Sequence, residues 1–338
     1  MTAMRDLAVA TALLALTCAA ARAQTAAVEV TQSAGGSTES IVFAGAQVRA
    51  LGELAKGVRL VAEASWGRRT RTPSDVFGTA YPYGGRIDVI EAYAEWVGGR
   101  GGLRAIRAGR YRTPFGLSSA SDHAYLGFLR PPLVRYGEYY ALSAGYLEHG
   151  VDVLAGASRV SLELSASRPA DVGDAIRRSG TTTAARVEAT FGPAIVGASR
   201  VDTTPYLPES FARGRARYTG VDLRAMVRGV QVRGEWLDGQ PFDGPTTAGG
   251  YLDLIVHTRR MNRVTALARI ETLDYDTASR FALRTQRATA AARVRLWQGL
   301  ALSAGVAGQQ GQRTQRRSTA FDVGITWTLR RDLSQPTP

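Results

Sequence analysis

"VDLRAMVRGVQVRGEWLD", residues 221–238, holds two runs of alternating character on either side of a tight turn. Val221, Leu223, Ala225 and Val227 alternate with Asp222 and Arg224; Val230, Val232 and Trp236 alternate with Gln231, Arg233 and Glu235. Successive side chains of a strand point to opposite faces, so each run reads as a strand with one apolar and one charged face. The pattern recurs in Val160, Leu162, Leu164 and Ala166, and in Phe321, Val323, Ile325, Trp327 and Leu329. Each run is about ten residues, the length of a tilted strand crossing a bilayer in a closed barrel.

Alternation also fits a soluble sandwich, in which the apolar faces meet each other. The connections separate the two architectures. Parity places sixteen strands, from 26–33 and 39–50 to 299–308 and 318–329. Short turns at 51–56, 98–101, 157, 192–193, around 229, 260–261 and 298 alternate with longer loops at 68–85, 113–145, 169–180, 203–216, 239–249, 274–285 and 309–317. That is the rhythm of periplasmic turns and extracellular loops. An even count needs "AAVEVTQS", 26–33, as the first strand. Trp66, Trp96, Trp236, Trp297 and Trp327 fall near strand ends, as interfacial girdles do. The expected fold is all-β: a transmembrane antiparallel barrel of about sixteen strands whose long third extracellular loop folds inward.

Residues 1–23 read as a cleaved secretory signal: Arg5, the apolar run Leu7–Ala21, then Ala21-Arg22-Ala23 as cleavage site. Residues 24–338 then form a single barrel. Cys18 is the only cysteine, so the mature chain has no disulfide, no Cys-ligated zinc and no thiol catalysis. Losing the signal lowers the formal charge from +13 by one, and nearly all of the positive charge is arginine, with Lys56 the single lysine. Such a balance points to nucleic acid in other settings, but an exported chain is not expected to meet it.

"RAGRYRTPFGLSSASDHAYLGFLRPPLVR", 107–135, begins as a strand and then loses its periodicity. Pro114 cannot donate a ladder hydrogen bond, and Gly116 permits a sharp turn. A sixteen-stranded barrel is too wide for its wall side chains to fill and leaves an aqueous channel. A long loop folded into that channel narrows it, so 113–145 is the candidate constriction.

"RAGRYRTPFGLSS" after the strand "IEAYAEWV" resembles the signature of phosphate-selective porin O and P-like outer-membrane porins, most sharply over residues 86–168. The resemblance implies a sixteen-stranded trimeric channel for small solutes, with arginines and tyrosines in the pore. The phosphate-specific members also use clustered lysines, which this chain lacks, and barrels of this kind usually end on an aromatic residue, whereas "RRDLSQPTP" follows Leu329.

Same-face charges pair along strands: Arg186 with Glu188, Arg200 with Asp202, Asp222 with Arg224, Arg233 with Glu235, Arg269 with Glu271. These read as a wall ladder. Arg287, Arg293 and Arg295 stand apart as inward arginines without acidic neighbours on their strand. Loops 68–85 and 309–317 carry surpluses of +2 and +3, and a positive mouth concentrates anions. The constriction candidates are Arg112, Arg130 and Arg135, faced by Asp122 and Glu138, with Tyr125 and Tyr136 beside them.

An enzyme would need a base within reach of its nucleophile. "SSASDH" at 118–123 offers the residue types without a nucleophile-elbow motif, and His149 and His257 have no metal-site spacing. No enzymatic step, metal or cofactor is expected. The expected activity is passive diffusion of small hydrophilic solutes with a moderate anion preference; the alternative is a non-conducting structural or adhesive barrel. Expected partners are small hydrophilic or anionic solutes, outer-membrane lipid and lipopolysaccharide and, as the resemblance implies, two further copies in a homotrimer.

Overall fold

The computed structural model describes residues 25–38, 42–69, 84–98, 102–117, 130, 132–135, 147–170, 180–203, 216–240, 246–258, 263–277, 281–311 and 317–333. The proposed signal peptide lies outside them. Sixteen strands follow one another: β1 (Thr25–Ser37), β2 (Val42–Ala55), β3 (Val58–Arg69), β4 (Gly84–Val97), β5 (Leu103–Arg112), β6 (Leu147–Gly156), β7 (Val160–Ala170), β8 (Thr182–Phe191), β9 (Ala194–Thr203), β10 (Ala216–Val227), β11 (Val230–Gln240), β12 (Thr246–His257), β13 (Val264–Thr277), β14 (Phe281–Arg295), β15 (Leu300–Gly311) and β16 (Arg317–Asp332). Each pairs antiparallel with its neighbours in sequence, and β1 pairs with β16 to close the barrel.

The two faces of the wall invert the arrangement of a soluble protein. Outward side chains are apolar and exposed: Phe321 58%, Val323 62%, Ile270 63%. Inward ones are charged and buried: Asp253 0%, Arg269 1%, Arg287 3%. Hydrocarbon is the solvent that such an exterior suits, and closure leaves no strand edge unpaired within it. Trp96, Trp236 and Trp327 are exposed on the outside, and Trp297 is exposed in the turn after β14. A guanidinium placed mid-strand on this face meets lipid, so Ile270→Arg is expected to cost about 2–4 kcal/mol, read as a lower urea midpoint for the barrel in vesicles. An unchanged midpoint would put Ile270 outside the hydrocarbon.

The tight turn within the opening hairpin is Arg228-Gly229, with φ of 49° and 86°. Two central residues with positive φ make the type I′ hairpin whose twist matches its flanking strands, and Gly229 adopts it without strain.

Two expectations need correction. The strands run further than alternation shows. β2 continues to Ala55 through the expected turn at 51–56, and the expected loop 274–285 shrinks to three residues between Thr277 and Phe281. Beyond the membrane a ladder needs no apolar stripe, and charges such as Arg284 and Asp274, 2.8 Å apart, hold it instead. The second correction concerns β9. Arg200 faces outward, its neighbours Ser199 and Val201 being buried inward. Asp202 on that outer face pairs with Arg217 of β10 at 3.4 Å, not with Arg200 as a pore ladder.

Candidate functional site

The strand β5 delivers Thr113, Pro114 and Phe115 into the barrel interior. The Thr113 hydroxyl donates to Glu148 of β6 at 2.8 Å, and the Gly116 amide donates to Ser199 of β9 at 3.1 Å. Phe115, 1% exposed, packs in a cluster with Ala184, Val201, Ala216, Tyr218 and Leu237. These are inward positions near the extracellular ends of β8–β11. Gly220 makes room for the ring: a Cβ there would stand 2.7 Å from Phe115 Cζ.

Further along, Leu133–Arg135 form a short 3₁₀ turn. Leu133 and Val134 join the same apolar cluster beside Tyr251 of β12 and Leu273 of β13. The Leu133 amide donates to Glu271 at 2.6 Å, and Arg269 donates to the Arg130 carbonyl at 2.8 Å. Both acceptor and donor side chains come from β13, which stands eight strands from β5 in either direction round the closed ring. Residues 130–135 of the third extracellular loop are therefore fastened on the wall opposite the strand from which the loop sets out.

Arg130 fastens a third point. Its guanidinium donates to both carboxylate oxygens of Asp322 on β16, one at 2.8 Å, and to the Ser37 hydroxyl on β1 at 2.8 Å. Arg112 is buried in the wall, 2.6 Å from Glu63 and 3.3 Å from Glu91. Both arginines are matched by carboxylates and hold the loop and its root in place. Arg135 closes the 3₁₀ turn; Asp122, Tyr125, Tyr136 and Glu138, with the SSASDH stretch, lie outside the described residues.

The pore-wall arginines divide. Arg287 is not without acidic company: its Nε donates to Glu271 of β13 at 2.6 Å, both side chains fully buried. The reading along one strand missed a partner across the ladder. Arg269 likewise forks onto Asp253 of β12 at 2.6 and 3.1 Å, instead of pairing with Glu271 on its own strand. Arg186 pairs with Glu188 as expected and reaches Asp222, two strands away, at 2.6 Å. Arg293 and Arg295 lie at the periplasmic end of β14, half-buried and exposed respectively.

Phe115, Leu133 and Val134 were not among the expected site residues, nor was Asp322. A signal for them existed: Val201, Tyr218, Leu237, Tyr251 and Leu273 put apolar groups on a face that is otherwise polar. Apolar side chains pointing into a wide lumen need something there to cover them. Among the described residues no group of three His, Cys, Asp or Glu side chains is placed to hold a metal.

A closed sixteen-stranded antiparallel barrel with a loop fastened across its lumen has the architecture of outer-membrane porins. No protein-family model matches the sequence, and comparison with curated proteins finds no match. Solved structures do match. OprB of Pseudomonas putida superposes with a TM-score of 0.65 at 8% identity, covering 91% of this chain and 94% of that one. An anion-selective porin from Comamonas acidovorans gives 0.59 at 10% identity, covering 90% and 98%. The trimer form of OmpT of Vibrio cholerae gives 0.57 at 10% identity, covering 90% and 98%. At such identities the likeness is one of fold.

Proposed function

We propose that the protein is an outer-membrane porin, exported by the signal at 1–23, that lets small hydrophilic solutes diffuse passively. The observation that carries this reading is the wetting of the lumen. The inward arginines Arg49, Arg59 and Arg224 keep 43%, 54% and 42% of their side-chain surface exposed, although carboxylates stand close by. A lumen packed shut would bury them. A fastened loop that narrows this water-filled space makes it a sieve rather than an open hole.

A moderate anion preference follows from the surplus of arginine over acid. With Arg112, Arg130 and Arg287 matched by carboxylates, the preference falls to the arginines that have none and to the loops at the mouth. The finer kinship with phosphate-selective porins rests on residues 86–168, and a trimer of this chain would follow the arrangement of the OmpT relative. The deciding measurement is conductance and reversal potential in a planar bilayer under a KCl gradient. Open steps with chloride favoured are expected. Cation preference would leave the porin and remove the charge argument; no steps from folded protein would favour the structural or adhesive barrel.

A further inference from the structure

We propose that the outer wall over β12–β16 carries a binding groove for one lipid of the extracellular leaflet, the phosphorylated, many-chained glycolipid lipopolysaccharide. The proposal rests on the outer-membrane reading above. It names a partner held outside the pore, not a solute passing through it.

The lipid-facing side chains of these strands are uneven in height. β14 turns Ala288, Ala290 and Ala292 outward, and β15 turns Ala304 and Gly308 outward on either side of Val306. Across the ladder Ala292 stands beside Ala304, and Ala288 beside Gly308. Taller exposed side chains flank this floor: Leu252, Leu254 and Ile270 on β12 and β13, Phe321 and Val323 on β16. The result is a groove of about 1010 Å³. A second stretch of about 500 Å³ joins it along Leu252, Ile270, Ala288 and Gly308. A Cβ at Gly308 would meet no atom within 4 Å, so the floor there is open.

The length of the groove fits one leaflet. Gln286 and Ala292 are six residues apart on β14, about 20 Å at 3.4 Å per residue. At a strand tilt of about 45° this is about 14 Å of depth, close to half of the roughly 30 Å hydrocarbon core. Three strand spacings separate β13 from β16, about 14 Å, which is wider than a single chain.

The extracellular end is polar and positive. Beyond Ala288 and Gly308 the next outward row runs Thr272, Gln286, Gln310 and Arg317, in register across β13–β16. All of them line the groove. Arg317 is exposed and makes no ion pair among the described residues. Asp274, in the row beyond, is already held by Arg284 at 2.8 Å. The connection entering β16, GQRTQRR at 311–317, contains no acid.

The two ends together select the occupant. A guanidinium donates to two phosphate oxygens at once, and glutamine amides hydrogen-bond sugar hydroxyls beside them. Inside hydrocarbon a free lipid chain gains little by exchanging one apolar neighbour for another. Chains tied to a fixed headgroup differ: once the phosphate is held, each is presented to the groove at high effective concentration. A lipid with several chains on one phosphorylated sugar uses the whole site. A two-chained glycerophospholipid fills less of the floor and brings no sugar to Gln286 and Gln310.

The probe is diphosphoryl lipid A, a minor component of phosphatidylcholine nanodiscs that hold the folded full barrel. Lipid retained after mild detergent extraction is counted by native mass spectrometry. Lipid A is expected to be retained in preference to phosphatidylglycerol, and excess inorganic phosphate is expected not to displace it. R317Q is expected to weaken retention about tenfold, the loss of a charge-assisted contact. A290L/G308L fills the floor with side chains that suit lipid and is expected to weaken retention in a barrel that still folds. R168Q removes an exposed outward arginine on β7 and is expected to change nothing. Equal retention by R317Q, A290L/G308L and the parent would overturn the groove, as would equal retention of phosphatidylglycerol. A lower oligomeric mass in A290L/G308L, with lipid A still held, would assign the groove to a second copy and overturn the proposal too. Lipid A held by a barrel that passes no current would keep the groove and overturn the porin.

Discussion

Arg269→Ala is expected to destabilise the barrel by about 3–5 kcal/mol, the cost of leaving a buried charge without its partner. Arg269 and Asp253 both have fully buried side chains and meet through two nitrogens and two oxygens. Truncating the arginine leaves the Asp253 carboxylate in a place that water does not reach. It also removes the donor to the Arg130 carbonyl, one of the fastenings of the crossing loop. Two readouts therefore move together: the urea midpoint falls, and the loop becomes more accessible to protease. Arg269→Lys keeps a charge but loses the fork, so a smaller loss is expected from it. A loss below about 1 kcal/mol for the alanine variant would place this pair with exposed ion pairs.

Gly220→Val is expected to produce the largest change in conductance. The new side chain would occupy the space of the Phe115 ring, which already stands 2.7–3.0 Å from where its Cβ would be. Phe115 must leave its seat, and a buried phenylalanine contributes about 3–5 kcal/mol. Among the described residues the first half of the loop then keeps only the hydrogen bonds of Thr113 and Gly116 without the ring's packing, while Arg130, Leu133 and Val134 hold the far end, and the channel is expected to widen. Phe115→Ala is expected to widen it as well. The two variants act on one contact, so the double variant should add little beyond either single one. Fully additive conductance changes would mean that Gly220 acts elsewhere than through the ring, and unchanged conductance in both would mean that this half of the loop does not narrow the pore.

The barrel was legible because the membrane enforces a period of two: Val221 to Trp236 alone carry a strand, a turn and a strand. Legibility failed where that enforcement stops. Above the bilayer, residues 274–277 and 281–285 continue their strands with no apolar stripe to mark them. The inside of the wall was half legible. Parity placed Arg269, Arg287 and Arg293 inward, but their partners sit across the ladder, and sequence spacing ranks neighbours along a strand first. Asp253 and Arg269 are sixteen residues apart and Arg130 and Asp322 are 192. The loop's inward course was expected from barrel width, while its docking surface was hidden in apolar residues that broke the polar alternation of the inner face.

Ser37 and Asp322 are register partners across the junction of the first and last strands, and Arg130 holds both. The second of these strands follows the other fifteen in the chain, so the Arg130 contact with Asp322 forms only after all sixteen strands have been made. A slip of one residue at that junction would turn Asp322 to the outer face, and Arg130 would find no carboxylate. The Arg130 contacts are therefore complete only when β1 and β16 have met in this register.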